Sequence, residues 1–333
     1  MKVGVIGAGA WGTTLALLLA EKGFEVHLWA LRPSLCEALS RGRENARYLP
    51  GIELPSAVEP TASLKEAAST KDLVLLAVPS HAFRQVLEGL APFFHQRSLL
   101  VSATKGLELE TGLTMSQVAK EVLPPPCLAV LSGPSFAKEV SRKLPTAVVA
   151  ASEEIEVASL VQAALSTPSF RVYAGLDPLG VELGGALKNV IAIAAGVADG
   201  LGLGHNARAA LIARGLAEMA RLGVAMGAKA QTFVGLAGVG DLVLTATSDL
   251  SRNRRVGLML AKGMRLPEIL TALGQVAEGV NAAKAALSLA ERHRVEMPIC
   301  REVHAVLFEG REPWKALETL LARDLKMEEG WPF

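Results

Sequence analysis

Lys188 stands in an apolar stretch, GGALKNVIAIAAG over residues 184–196. At helical spacing its neighbours are Gly184, Gly185, Ile191 and Ala192, so no carboxylate lies one turn away to pair with it. Two readings compete. A lysine can lay its stem across apolar surface and reach water with its ammonium. Alternatively, desolvation among small residues lowers its pKa towards the working range and suits it to move a proton at a reacting oxygen.

Other chemistry-bearing groups fall at regular places. KVGVIGAGAWGTTLALLLAEKG sets Gly7, Gly9 and Gly12 in G-x-G-x-x-G spacing after a strand and at the opening of a helix. That context points to dinucleotide binding: tight turn, close approach of pyrophosphate to backbone, and close helix–strand packing. The second strand ends in VHLWALRPS, with Arg32 near the position where NAD-selective sites carry an acid. An arginine there suits a 2′-phosphate, so NADP is expected as the preferred cofactor, without strict exclusion of NAD. Further strand ends carry VPSH, SATKGLE with Lys105, and SGPSFAKE with Gly133 and Ser135. Ligands of doubly wound sheets bind at such carboxyl ends. Later, GLAGVGDLVLTAT places Asp241 after a glycine loop, and DLSRNRRVGLML places Ser251, Arg252 and Asn253 at a helix start, a favourable place for an anion. An ordinary capped helix with solvated arginines is the competing reading of that last segment.

Short β-branched runs alternate with helical stretches up to about residue 175, the pattern of a parallel α/β sheet. Candidate strands are 3–6, 26–29, 73–78, 99–103, 128–131, 147–150 and 170–173. Beyond Asp177 the apolar pattern is helical and β-branched runs nearly vanish. The expected architecture is α/β: an N-terminal Rossmann-type doubly wound sheet over 1–177, followed by an all-α substrate-binding and catalytic domain over 178–333. A helix starting near Pro178 carries Lys188.

Composition narrows the partners. A net charge of +1 over 333 residues argues against a nucleic-acid binder and for small-molecule ligands. Three scattered cysteines, Cys36, Cys127 and Cys300, lack metal-ligand or redox spacing and read as buried thiols of a reducing compartment. The histidines show no ligand spacing either, so no metal site is expected. Glycines at 4, 7, 9 and 12 interrupt the apolar N-terminus, which argues against a signal or membrane segment. GPSFA approaches a nucleophile elbow but ends in Ala137 and has no companion histidine motif, so a hydrolase is disfavoured.

Taken in order, GAGAWGTTLA, VPSH, ATKGLE, SGPSFAKE, GGALKNVIAIAAG, DGLGLGHNARAALI, GLAGVGDLVLT and SRNRR resemble the bacterial NAD(P)-dependent glycerol-3-phosphate dehydrogenases over nearly the whole chain. The resemblance implies reversible reduction of dihydroxyacetone phosphate to sn-glycerol 3-phosphate, in supply of phospholipid synthesis. It implies Lys188 as the proton acceptor, with Asp241 and Lys105 beside it. Substrate contacts then fall on Lys105, Gly133, Ser135, Lys188, Asp241, Ser251, Arg252 and Asn253. Cofactor contacts fall on Trp11, Arg32, Tyr48, Lys105, Ala137, Arg252, Val276 and Glu278, beside the glycine loop. A cytoplasmic homodimer without stable membrane insertion is expected. Two other readings stay open: a β-hydroxyacid dehydrogenase acting on a carboxylate, and a non-catalytic dinucleotide sensor.

Overall fold

The computed structural model describes residues 1–124, 126–274, 277–325 and 327. The chain divides into two compact units, one of Met1–Thr104 with Met115–Pro178, the other of Lys105–Thr114 with the chain from Leu179 onward.

The first unit contains β1 (Lys2–Ile6), β2 (Glu25–Trp29), β3 (Glu44–Asn45), β4 (Leu49–Glu53), β5 (Val58–Thr61), β6 (Leu73–Leu76), β7 (Leu99–Ser102), β8 (Cys127–Ser132), β9 (Thr146–Ala151) and β10 (Phe170–Gly175). Eight of these form one sheet in the order β10-β9-β8-β7-β6-β1-β2-β5, while β3 and β4 form a separate antiparallel hairpin. All four residues of β6, LVLL, are buried, as expected of a central strand covered on both faces. The chain leaves β1 for β2 and β5 on one side and then returns to β6 on the other. The order therefore reverses beside β1, where doubly wound sheets bind their ligands.

The expectation of a parallel sheet needs one correction, because β8 and β9 pair antiparallel. Between them lies only the four-residue helix Ala137–Val140. No full crossover helix of the kind that usually joins parallel strands stands there, and the chain turns back beside β8.

The second unit is helical. Its centre is the helix Pro178–Gly200, in which every residue from Gly180 to Gly196 is buried. It is long and apolar enough to cross a membrane, yet 94% of its apolar window is buried inside the protein, the signature of a core helix. Leu187, Val190 and Ile191 join Met219, Phe233, Leu242, Val256 and Ala283 in one apolar cluster. A Cβ on Gly257 would lie 2.1 Å from the Ile193 carbonyl oxygen, so the helix Arg252–Ala261 rests directly on the backbone of the central helix. All three cysteines are free thiols; Cys300 is buried, whereas Cys36 and Cys127 are only half-buried.

Candidate active site

In the second unit, two lysines meet on Asp241. Lys188 donates to Asp241 Oδ1 at 2.5 Å and to Thr245 Oγ1 at 2.8 Å, while Lys105 donates to Asp241 Oδ2 at 2.8 Å. The Thr245 hydroxyl donates in turn to the Asp241 carbonyl at 2.7 Å, which leaves its lone pairs to the lysine. Local structure brings these groups together. A π-helical turn, Leu236–Gly240, delivers Asp241 to the first position of the helix Asp241–Thr247. A Cβ on Gly184 would lie 2.5 Å from the Ala237 carbonyl oxygen, so glycine one turn before Lys188 lets this turn press onto the central helix.

Burial pushes the Lys188 ammonium down to about 8; Asp241 opposes that fall and Lys105 adds to it. For Asp241, burial favours the neutral acid, but two adjacent ammoniums outweigh it and hold the carboxyl below its ordinary value. The trio carries two positive charges and one negative, a net positive charge suited to an oxygen that becomes anionic.

At the helix start before Arg252 the reading of a capped helix with solvated arginines holds for the Ser251 cap and for the exposed Arg255, but not for Arg254. Ser251 is the N-cap, its hydroxyl accepting the Arg254 N–H at 3.2 Å. Arg254 is buried, donating to Asp199 at 2.8 Å and to Asp249 at 2.5 Å, and Asp199 also receives Arg208. Asn253 donates to Asn189 at 2.8 Å and accepts the Gly279 N–H at 3.0 Å. These contacts fix the turn that presents Arg252, whose guanidinium feels the attraction of Glu278, first residue of the helix Glu278–His293. Val276 lies outside the described residues.

The first unit holds the remaining sequence candidates. Gly7 has φ +119°, and a Cβ on Gly12 would lie 1.9 Å from its carbonyl oxygen. Gly9 caps the helix Ala10–Glu21 without a side-chain hydrogen bond, and a Cβ there would meet nothing within 4 Å. A helix start without a side-chain cap, beside open space at Gly9, fits a pyrophosphate. Trp11 is half-buried against Phe170, with ring centroids 6.4 Å apart, and its indole N–H has no partner among the described residues. Gly133 has φ +136° and its carbonyl accepts the Ser135 hydroxyl at 2.9 Å. The Ala137 carbonyl accepts the Thr14 hydroxyl at 3.3 Å. Arg32 donates to the Tyr48 hydroxyl at 2.6 Å.

The sequence reading leaves out Thr245 and Asn189. Thr245 had a detectable signal, since it lies four residues after Asp241 on one helix face. Asn189 adjoins Lys188, but its use shows only when the helix start at Ser251 folds onto the central helix.

Comparison with known proteins follows the same division. Residues 2–158 match the family model described as NAD-dependent glycerol-3-phosphate dehydrogenase N-terminus, and residues 177–318 match the corresponding C-terminus. A glycerol-3-phosphate dehydrogenase [NAD(P)+] of Geobacter sulfurreducens is 57% identical over 330 residues, covering 98% of each chain. One of Moorella thermoacetica is 52% identical, covering 96% of each. The crystal structure of glycerol-3-phosphate dehydrogenase from Coxiella burnetii superposes with a TM-score of 0.94 at 42% identity, covering 97% of this chain and 99% of that one.

Proposed function

The chain belongs to the NAD-dependent glycerol-3-phosphate dehydrogenase family, and from that premise we propose that it reduces dihydroxyacetone phosphate to sn-glycerol 3-phosphate with Lys188 as the proton donor. One observation carries the assignment of Lys188. An ammonium has three N–H groups. Asp241 and Thr245 take two, and the third has no partner among the described residues.

NAD(P)H, when bound, supplies the hydride. The open face at Gly9 and the uncapped helix start are the features that fit its pyrophosphate. Lys188 gives its remaining N–H to the substrate's carbonyl oxygen, stabilises the charge that grows there and then transfers the proton. In the reverse direction the neutral amine accepts the hydroxyl proton. Asp241 and Thr245 aim the ammonium, and Asp241 keeps its pKa near the working range against burial. Lys105 holds the other carboxylate oxygen and contributes positive charge for the substrate's oxygen. Arg252, presented by the pinned helix start, reads the phosphate, with Ser251 and Asn253 holding that start in place. Gly133 and Ser135 are assigned to the substrate. Trp11, Arg32, Tyr48, Ala137 and Glu278 are assigned to the cofactor, NADP being preferred over NAD.

Residues 1–177 form the dinucleotide-binding half and 178–333 the catalytic half, with Lys105–Thr114 packed in the compact unit of the latter. A cytoplasmic homodimer completes the reading. The test is NADPH oxidation by the purified protein with dihydroxyacetone phosphate against a panel of 3-oxoacids. Preference for the phosphate substrate supports the assignment; preference for a 3-oxoacid would make the protein a β-hydroxyacid dehydrogenase. Tight NADPH binding without turnover would make it a sensor.

A further inference from the structure

The hairpin formed by β3 and β4 belongs to no other element of the large sheet, yet it is fastened to the glycine loop. Asn45, fully enclosed in the first unit, donates to the Ala8 carbonyl at 3.0 Å and to the Thr13 hydroxyl at 2.8 Å. Three residues on, the Tyr48 N–H donates back to the Asn45 carbonyl at 3.2 Å. The tip of the hairpin, Arg47 and Tyr48, is therefore held at a fixed distance from the loop that takes the pyrophosphate.

Two guanidiniums converge on that tip. Arg32, at the end of β2, donates to the Tyr48 hydroxyl at 2.6 Å, and the Arg47 guanidinium lies 5.3 Å from the centre of the Tyr48 ring. Neither arginine forms an ion pair with a carboxylate among the described residues. Both line one cavity, together with Ser34 in the first turn of the helix Pro33–Gly42. Glu44 lines it too, but its carboxylate accepts the Gly51 N–H at 2.8 Å. Like charges gathered around a phenol, beside a helix N-terminus and a hydroxyl, make a site for a small multivalent anion.

We propose that Arg47 is a second reader of the cofactor's 2′-phosphate, closing on it opposite Arg32, with Tyr48 holding the two guanidiniums apart. The inference rests on the reading that this strand end takes the adenosine half of the cofactor. It assigns part of the NADP preference to a hairpin outside the strand–helix fingerprint. Arg47 is exposed, so its removal tests binding rather than folding.

The experiment is equilibrium titration of the full-length Arg47→Ala, Arg47→Lys and Arg32→Ala proteins with NADPH and NADH, with 2′,5′-ADP and 5′-ADP as fragment probes. Arg47→Ala is expected to weaken NADPH and 2′,5′-ADP about tenfold, the scale of one charge-assisted hydrogen bond near solvent, and to leave NADH and 5′-ADP within about twofold. Arg47→Lys should recover part of the loss. Equal weakening of phosphorylated and unphosphorylated ligands, or no weakening, overturns the role of Arg47. If Arg32→Ala loses its selectivity for NADPH while Arg47→Ala is silent, only this inference fails. If both are silent towards every ligand, the placement of the adenosine half fails with it.

Discussion

Lys188 Nζ lies 2.5 Å from Asp241 Oδ1, with both side chains buried. Burial alone would strip the lysine of its proton, and the carboxylate returns enough stabilisation to leave its pKa at about 8. On the proposed mechanism oxidation of glycerol 3-phosphate uses the neutral amine, so its rate should rise with pH through about 8; reduction uses the ammonium and should decline over the same range. Asp241→Asn removes the group that raises the lysine's pKa. Both midpoints should then move to lower pH, alongside a loss of rate. Full pH profiles of kcat in the two directions check this, and unmoved midpoints in the variant would detach Asp241 from the titration.

Thr245→Val should lower kcat by about 10- to 150-fold, the range for losing a hydrogen bond to a charged group of about 1.5–3 kcal/mol. The KM for dihydroxyacetone phosphate should change little, because in the proposed mechanism the hydroxyl acts by orienting the ammonium. Thr245→Ser should restore most of the rate. A serine variant as poor as valine would show that packing of the methyl, rather than the hydroxyl, is what matters.

Arg252→Ala should reduce kcat/KM for dihydroxyacetone phosphate by about 10- to 150-fold on the same scale. Dihydroxyacetone, lacking the phosphate, should be a poor substrate of both proteins and respond far less to the substitution. Steady-state kinetics at saturating NADPH, with its affinity measured separately, make the comparison. An identical loss for both substrates would remove Arg252 from phosphate recognition.

Glu218 offers a stability test away from the chemistry. Its carboxylate caps the helix Pro298–Phe308, accepting the Ile299 N–H at 2.7 Å and the Cys300 N–H at 3.2 Å. Burial nonetheless pushes its pKa from 4.5 up to about 7, the backbone donors only limiting the rise. Between those values the folded protein holds a proton that the unfolded chain releases, so raising the pH through this window lowers stability. Glu218→Gln removes that contribution. The Tm of the variant minus that of the wild type should therefore increase from about pH 5 to about pH 7.5. A difference independent of pH would show that Glu218 does not titrate there.

How much of this was legible in the sequence depends on the range of the signal. Gly7, Gly9 and Gly12 announce their loop because turn, approach and packing are all decided within one strand–helix unit. The strand runs are found for a similar reason, since each carries its own apolar pattern; β5, β3 and β4 escape because VEPT, EN and LPGIE carry none. Lys188 was conspicuous for its surroundings, but its partner lies 53 residues away, and only folding pairs them. The helix start at Ser251 shows the converse. Cap residues are visible locally, whereas the burial of Arg254 depends on Asp199, 55 residues earlier. Long-range ion pairs leave no mark on local spacing, so a reading of solvated arginines at this helix start holds for the exposed Arg255 and fails for the buried Arg254.

The measurement closest to the central claim is the kcat of Lys188→Met, which keeps the side chain's bulk within the core while removing the proton. Loss of a positioned acid or base costs about 10²- to 10⁴-fold. The account predicts a fall of that size in NADPH-dependent reduction of dihydroxyacetone phosphate, with the protein folded and its affinity for NADPH within about twofold of wild type, since the lysine acts on the substrate's oxygen. Turnover near the wild-type rate in the folded variant would contradict it.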